Sequence, residues 1–163
     1  MDDLLAIVGL NMIKGVGPQK IHFLIRHFSS AEKVLSASFS SLSEVVGEGV
    51  ASLIVSQREG IEPEREIDRA EEVGARIITI EDDEYPENLR LTSDPPILLY
   101  IKGRVVSEDR ISIGIVGSRK ASAYGRKIAE ELSIQLAEAG FTIISGLARG
   151  IDTIAHKTAI LCK

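Results

Sequence analysis

Between Gly114 and Lys127 the chain reads GIVGSRKASAYGRK, which gathers Ser118, Arg119, Lys120, Ser122, Tyr124, Arg126 and Lys127 around Gly117 and Gly125. Glycines let backbone N–H groups turn together towards a ligand, and arginine and lysine add charge, so these residue types suit an anion and above all a phosphate. Neither nucleotide fingerprint is present. The glycines do not follow G-x-G-x-x-G, and no lysine follows a glycine at P-loop spacing. A second stretch, SGLARGID, repeats the design with Ser145, Gly146, Arg149, Gly150 and Asp152, and His156 follows one helical turn later. Arg119, Lys120, Arg126 and Arg149 are the candidate contacts of a single anion cradle.

Several of these residues have a second reading. Arg126 and Lys127 match Glu130 and Glu131 at i,i+4 and i,i+3, the spacing of ordinary surface pairs. Tyr124 either packs its ring on the sheet edge or stacks on a base. Asp152 and His156, four apart, are an acid–base pair in one reading. In the other, Asp152 favours the helix N-terminus and satisfies His156. No nucleophile stands beside a base, so no catalytic residue is assigned. His22 and His27 read as helix-surface or packing residues.

Two strand–helix units must position the cradle. ISIGIVGS is an apolar strand, 123–139 a helix, FTIISG a second strand and 149–162 a second helix. Alternation of this kind predicts an α/β fold with a parallel sheet covered on both faces, and in such sheets ligands bind beyond the carboxyl ends of the strands. Gly117 and Gly146 stand at those ends, and adjacent strands would bring their loops together. Two earlier strands are predicted, ARIITI (75–80) and PPILLYIKG (95–103), with Pro95 and Pro96 confining entry to the sheet edge. Before them EPEREIDRAEEVG is a surface helix with Pro63 in its first turn and Gly74 just past its end.

Residues 1–60 predict a separate domain of short helices joined by glycine turns, followed by a second domain over 61–163. Ile21, Leu24, Ile25 and Phe28 mark one face of a helix. The turn IKGVGPQK places Gly15, Val16 and Gly17 before Pro18 and Lys20, and resembles the helix-hairpin-helix motif, a sequence-independent contact to DNA backbone. Gly47 and Gly49 echo it as a degenerate second copy. A plain turn between two helices, or a protein contact, explains the same residues.

Charge is uneven along the chain. The net value of −5 divides into −1 over 1–60, −7 over 61–110 and +3 over 111–163. An anionic ligand responds to the local field of the last segment, because charges are screened within about 8–10 Å at physiological salt. A lone cysteine, Cys162, excludes an internal disulfide and argues against a zinc site. The first ten residues carry acids where a signal peptide carries positive charge, and no apolar run reaches membrane-spanning length, so a cytoplasmic protein without a membrane partner is expected.

YPENLRLTSDPPILLYIKG, GIVGSRKASAYG and FTIISGLARGIDTIAH, in that order, resemble the DNA-processing protein A family, also called Smf. Members bind single-stranded DNA and load the RecA recombinase during natural transformation. The resemblance is close across 85–163. It implies an extended Rossmann-like domain after a small all-helical, helix-hairpin-helix or SAM-like domain. It also implies phosphate-holding positions at Gly117, Ser118, Arg119, Ser122, Tyr124 and Gly125, with Ser145, Gly146, Gly150, Asp152 and His156 completing the pocket. No cofactor, metal or nuclease chemistry is implied, and full-length members form homodimers. Family members continue past GID…AH with further strands, so an incomplete parallel sheet with one open edge is expected here. Two alternatives remain at this point: a nucleotide-processing enzyme like the phosphoribohydrolases, whose proline–glycine–glycine motif is missing from this sequence, and an inactive fragment contacting protein through 1–60.

Overall fold

In the computed structural model, which describes residues 3–162, the chain opens with four helices: α1 (Asp3–Met12), α2 (Pro18–Phe28), α3 (Ala31–Ser36) and α4 (Phe39–Gln57). The ends of the two expected domains, residues 1–2 and 163, lie outside the described residues. Helix α1 is apolar on every side, and Ala6 to Leu10 are all buried. A helix of that kind has to be central, and α1 touches α2, α3, α5 and β2. Around it pack Ile21 and Leu24 from the predicted face of α2, with Ile25 and Phe28 partly buried beside them.

Three details hold the helices in register. Ser30 caps α3 and Ser38 caps α4 by accepting from backbone N–H groups three residues on. The Arg58 guanidinium donates to the carbonyls of Leu35 and Ala37 at 2.8 and 2.7 Å, satisfying the open end of α3. Gln57 clasps the turn after α1, accepting from Lys14 N–H and donating to Lys14 carbonyl. Helix α4 is long and apolar enough to cross a membrane by length and composition, contrary to the expectation from sequence. It is not one continuous helix, however, since Gly47 takes φ 79° and ψ 159° and bends the chain there.

Helix α5 (Pro63–Glu72) precedes strand β1 (Arg76–Thr79), the single turn α6 (Glu87–Arg90) and strand β2 (Leu98–Ile101). The strands pair antiparallel, from Arg76 opposite Ile101 to Thr79 opposite Leu98. Tyr100 donates to Glu66 Oε1 at 2.9 Å and ties β2 to α5; burial and the Glu66 carboxylate push its phenol up to about 12. Ile97 and Leu98 enter the same core as the helices. The division into compact units therefore falls after Arg104, and the position expected for a boundary, 60/61, lies within the first unit.

The second unit, from Val105 onward, is α/β. A 3-10 turn (Ser107–Arg110) leads into β3 (Ser112–Gly114), α7 (Ala123–Glu138), β4 (Thr142–Ile144) and α8 (Ile151–Leu161). Strands β3 and β4 are parallel, with Ser112, Ile113 and Gly114 opposite Thr142, Ile143 and Ile144. Both helices pack on each other and on β4. The parallel pair is the one expected, but it is short, and among the described residues β1 and β2 form a ladder of their own. Nor are its faces fully covered, as Ile144 is 52% exposed.

Candidate functional site

The carboxyl ends of β3 and β4 carry the two glycine loops, 115–122 and 145–150, and the structure brings them together. Ser145 Oγ donates to the Ile115 carbonyl at 2.6 Å, and Ile151 N–H donates to the Ser118 carbonyl at 3.3 Å. Two glycines make the approach feasible. At Gly117 a Cβ would stand 2.7 Å from Ile151 Cγ1, and at Gly150, where φ is +87°, it would collide with the Ser118 carbonyl oxygen and stand 2.8 Å from Arg119 Cα. The loops are interlocked, and the backbone carrying Arg119 rests on the backbone beside Arg149.

Short side chains set the shape of each loop. Ser118 Oγ accepts from Lys120 N–H at 3.1 Å, and Ser122 Oγ accepts from Gly125 N–H at 3.1 Å as the N-cap of α7. The buried Asp152 carboxylate accepts from Gly146 N–H at 3.1 Å and Ala148 N–H at 3.4 Å through Oδ2. His156 Nε2 lies 3.3 Å from the Ser145 carbonyl, which can only accept, so that nitrogen carries a proton. The pairing of His156 with Asp152 expected from their spacing is thus replaced: Asp152 turns to the loop amides, which lie nearer its helix end, and His156 reaches the strand end instead. Both are held by backbone.

The predicted cations separate. Arg119, Lys120, Arg126 and Arg149 are all exposed. Arg126 Nε donates to the Ala121 carbonyl at 3.2 Å, which returns its guanidinium to the first loop in place of a pair with Glu130. Lys127 makes the i,i+4 pair with Glu131 at 3.7 Å and belongs to the solvated face of α7. Tyr124 is 75% exposed at the first turn of α7, so its ring does not pack on the sheet. Amides of that turn and the positive end of the helix dipole add to the side-chain charge. The loops thus join glycine-rich backbone to exposed cations, a combination suited to an anion. Among the described residues no group of three or more His, Cys, Asp or Glu could hold a metal ion.

Sequence reasoning missed Leu147. It has φ +56° and is 85% exposed between the two amides that Asp152 holds. Its only sequence signal is an apolar residue inside a polar glycine loop.

The other candidate, Gly15, Val16, Gly17 and Lys20, lies in the first unit. Gly15 has φ +89°, Val16 is buried, Gly17 is the extended N-cap of α2, and Lys20 is exposed in its first turn. Gly47 repeats the positive φ of Gly15, but Glu48 replaces Val16 and sets a carboxylate where the first turn has an apolar side chain.

The profile of the family described as DNA recombination-mediator protein A matches residues 76–163, more than half of the chain. A protein Smf from Synechocystis is 34% identical over 156 residues, covering 92% of this chain and 39% of that protein. DNA processing protein DprA of Bacillus subtilis is 39% identical over 94 residues, covering 56% of this chain and 31% of that protein. The crystal structure of DNA processing protein A from Streptococcus pneumoniae superposes with a TM-score of 0.74 at 26% identity, over 99% of this chain and 55% of that one. The chain thus spans well under two thirds of the length of these relatives.

Proposed function

Since the chain belongs to the DNA recombination-mediator protein A family, we propose that it binds single-stranded DNA through the interlocked loops 115–122 and 145–150 and, by the family's activity, delivers the strand to the RecA recombinase. The observation that carries this reading is the contact of Gly150 with the backbone of Ser118 and Arg119, which joins the two loops that bear the exposed Arg119, Lys120 and Arg149. Phosphates are held by Arg119, Lys120, Arg126, Arg149 and the first-turn amides of α7. Glycines 117, 125, 146 and 150 supply close backbone approach, and Ser118, Ser122, Ser145, Asp152 and His156 shape the loops rather than touch the strand. Binding of this kind is independent of sequence, because phosphate carries no base information. The role is mediation without catalysis: the two groups nearest to an acid–base pair, Asp152 and His156, are both engaged by backbone. The turn at Gly15, Val16, Gly17 and Lys20 is a second backbone contact in this scheme.

Arg119→Ala is the decisive substitution. Affinity for oligonucleotides of unrelated sequence should fall by a similar factor, and the slope of log affinity against log salt should flatten by about 0.7, the value for one phosphate contact on a single strand. Fluorescence anisotropy at several salt concentrations measures both. An unchanged slope removes Arg119 from the interface.

A further inference from the structure

We propose that Leu147 is a base-contacting residue, an apolar tip that rests on a nucleobase of the strand whose phosphates the adjacent loops hold. The inference rests on the single-strand reading above and adds a second kind of contact to it. Leucine is costly at φ +56°, a backbone region where its side chain crowds the following carbonyl and where glycine or asparagine is usual. Such a conformation persists where its surroundings impose it, and here they do. Asp152 Oδ2 holds the amide just before Leu147 and the amide just after it, while Thr153 Oγ1 donates to the Ala148 carbonyl at 2.7 Å. The carboxylate that fixes the loop is itself buried. What this framework presents is a leucine 85% exposed to water.

Burying that side chain against the protein would have relieved the apolar exposure, and a glycine would have relieved the backbone. Neither is found. Three residues along, Gly150 meets the backbone of Ser118 and Arg119, so a strand with a phosphate on that surface has its bases within reach of the loop tip. A base face offers flat apolar area to any apolar side chain, whatever the sequence. In a duplex those faces are stacked and paired, so the contact also favours single strands.

The test compares wild type, Leu147→Gly and Arg119→Ala on three ligands: a thymidine oligonucleotide, an abasic strand of equal length and a duplex. Leu147→Gly should bind the thymidine strand about fivefold more weakly with an unchanged salt slope, should bind the abasic strand as wild type does, and should unfold at a higher temperature because the strain is gone. Leu147→Asn, also at home in the left-handed region, should lose the same affinity. Wild-type affinity for the thymidine strand in both Leu147 variants, with Arg119→Ala weakened, overturns the base contact and leaves the phosphate reading intact. An equal loss on the abasic strand overturns it too, since the leucine would then act through the phosphate loop. Altered self-association with unaltered DNA binding assigns the tip to a protein contact and overturns it as well. Absence of single-strand binding by wild type removes both proposals.

Discussion

Asp152 shows how little a residue's type says about its partner. A carboxylate among arginines suggests ion pairing, yet this one spends its acceptor oxygen on Gly146 and Ala148 N–H groups. Removing it leaves two half-enclosed donors without a partner, and bonds to a charged acceptor contribute about 1.5–3 kcal/mol each. Asp152→Ala should therefore lose roughly 3 kcal/mol, read as a lower denaturant midpoint with an unchanged dependence on denaturant. Asp152→Asn keeps an acceptor oxygen and should lose less. DNA affinity of the asparagine variant should stay near wild type, because Asp152 faces the loop interior and not the ligand surface.

Helix α7 illustrates what an element contributes beyond its own stability. Ser122 caps it by accepting from Gly125 N–H, so Ser122→Ala should cost about 1 kcal/mol and lower the midpoint of thermal unfolding by a few degrees. Ser122→Asp preserves the cap and the fold but sets an anion at the mouth of the cradle. That variant should melt as wild type does and bind oligonucleotides several-fold more weakly, and calorimetry beside anisotropy separates the two effects. Much at this scale was legible in the sequence. The strand–helix alternation, the glycines at the strand ends and the apolar face of α2 all follow from periodicity and glycine placement. Helix α3 did not stand out, since six residues make fewer than two turns; its signal was Ser30, whose side chain caps Lys33 N–H. The ladder of β1 with β2 was also hidden, because strand pairing is settled by which core the strands share, and Ile97 and Leu98 share that of α1. For the site, residue types pointed to the loops but not to their contacts: the exchange of partners at Asp152 and His156, and the exposure of Leu147, depend on backbone directions that spacing does not fix.

Across the whole molecule, charge divides with structure. Residues up to Arg104 carry a net −7 and those from Val105 a net +2, although the total is acidic. The cradle's four candidate cations predict a salt slope of about −3 for single strands, at about 0.7 per phosphate contact. A measured slope near zero would separate binding from this surface. Substituting Lys127, which pairs with Glu131 along α7, should leave that slope unchanged. The meeting of Gly150 with Ser118 and Arg119 also has a temporal side. The first loop packs against residues translated after it, so its contacts can form only once the chain has been made as far as Gly150 and Ile151.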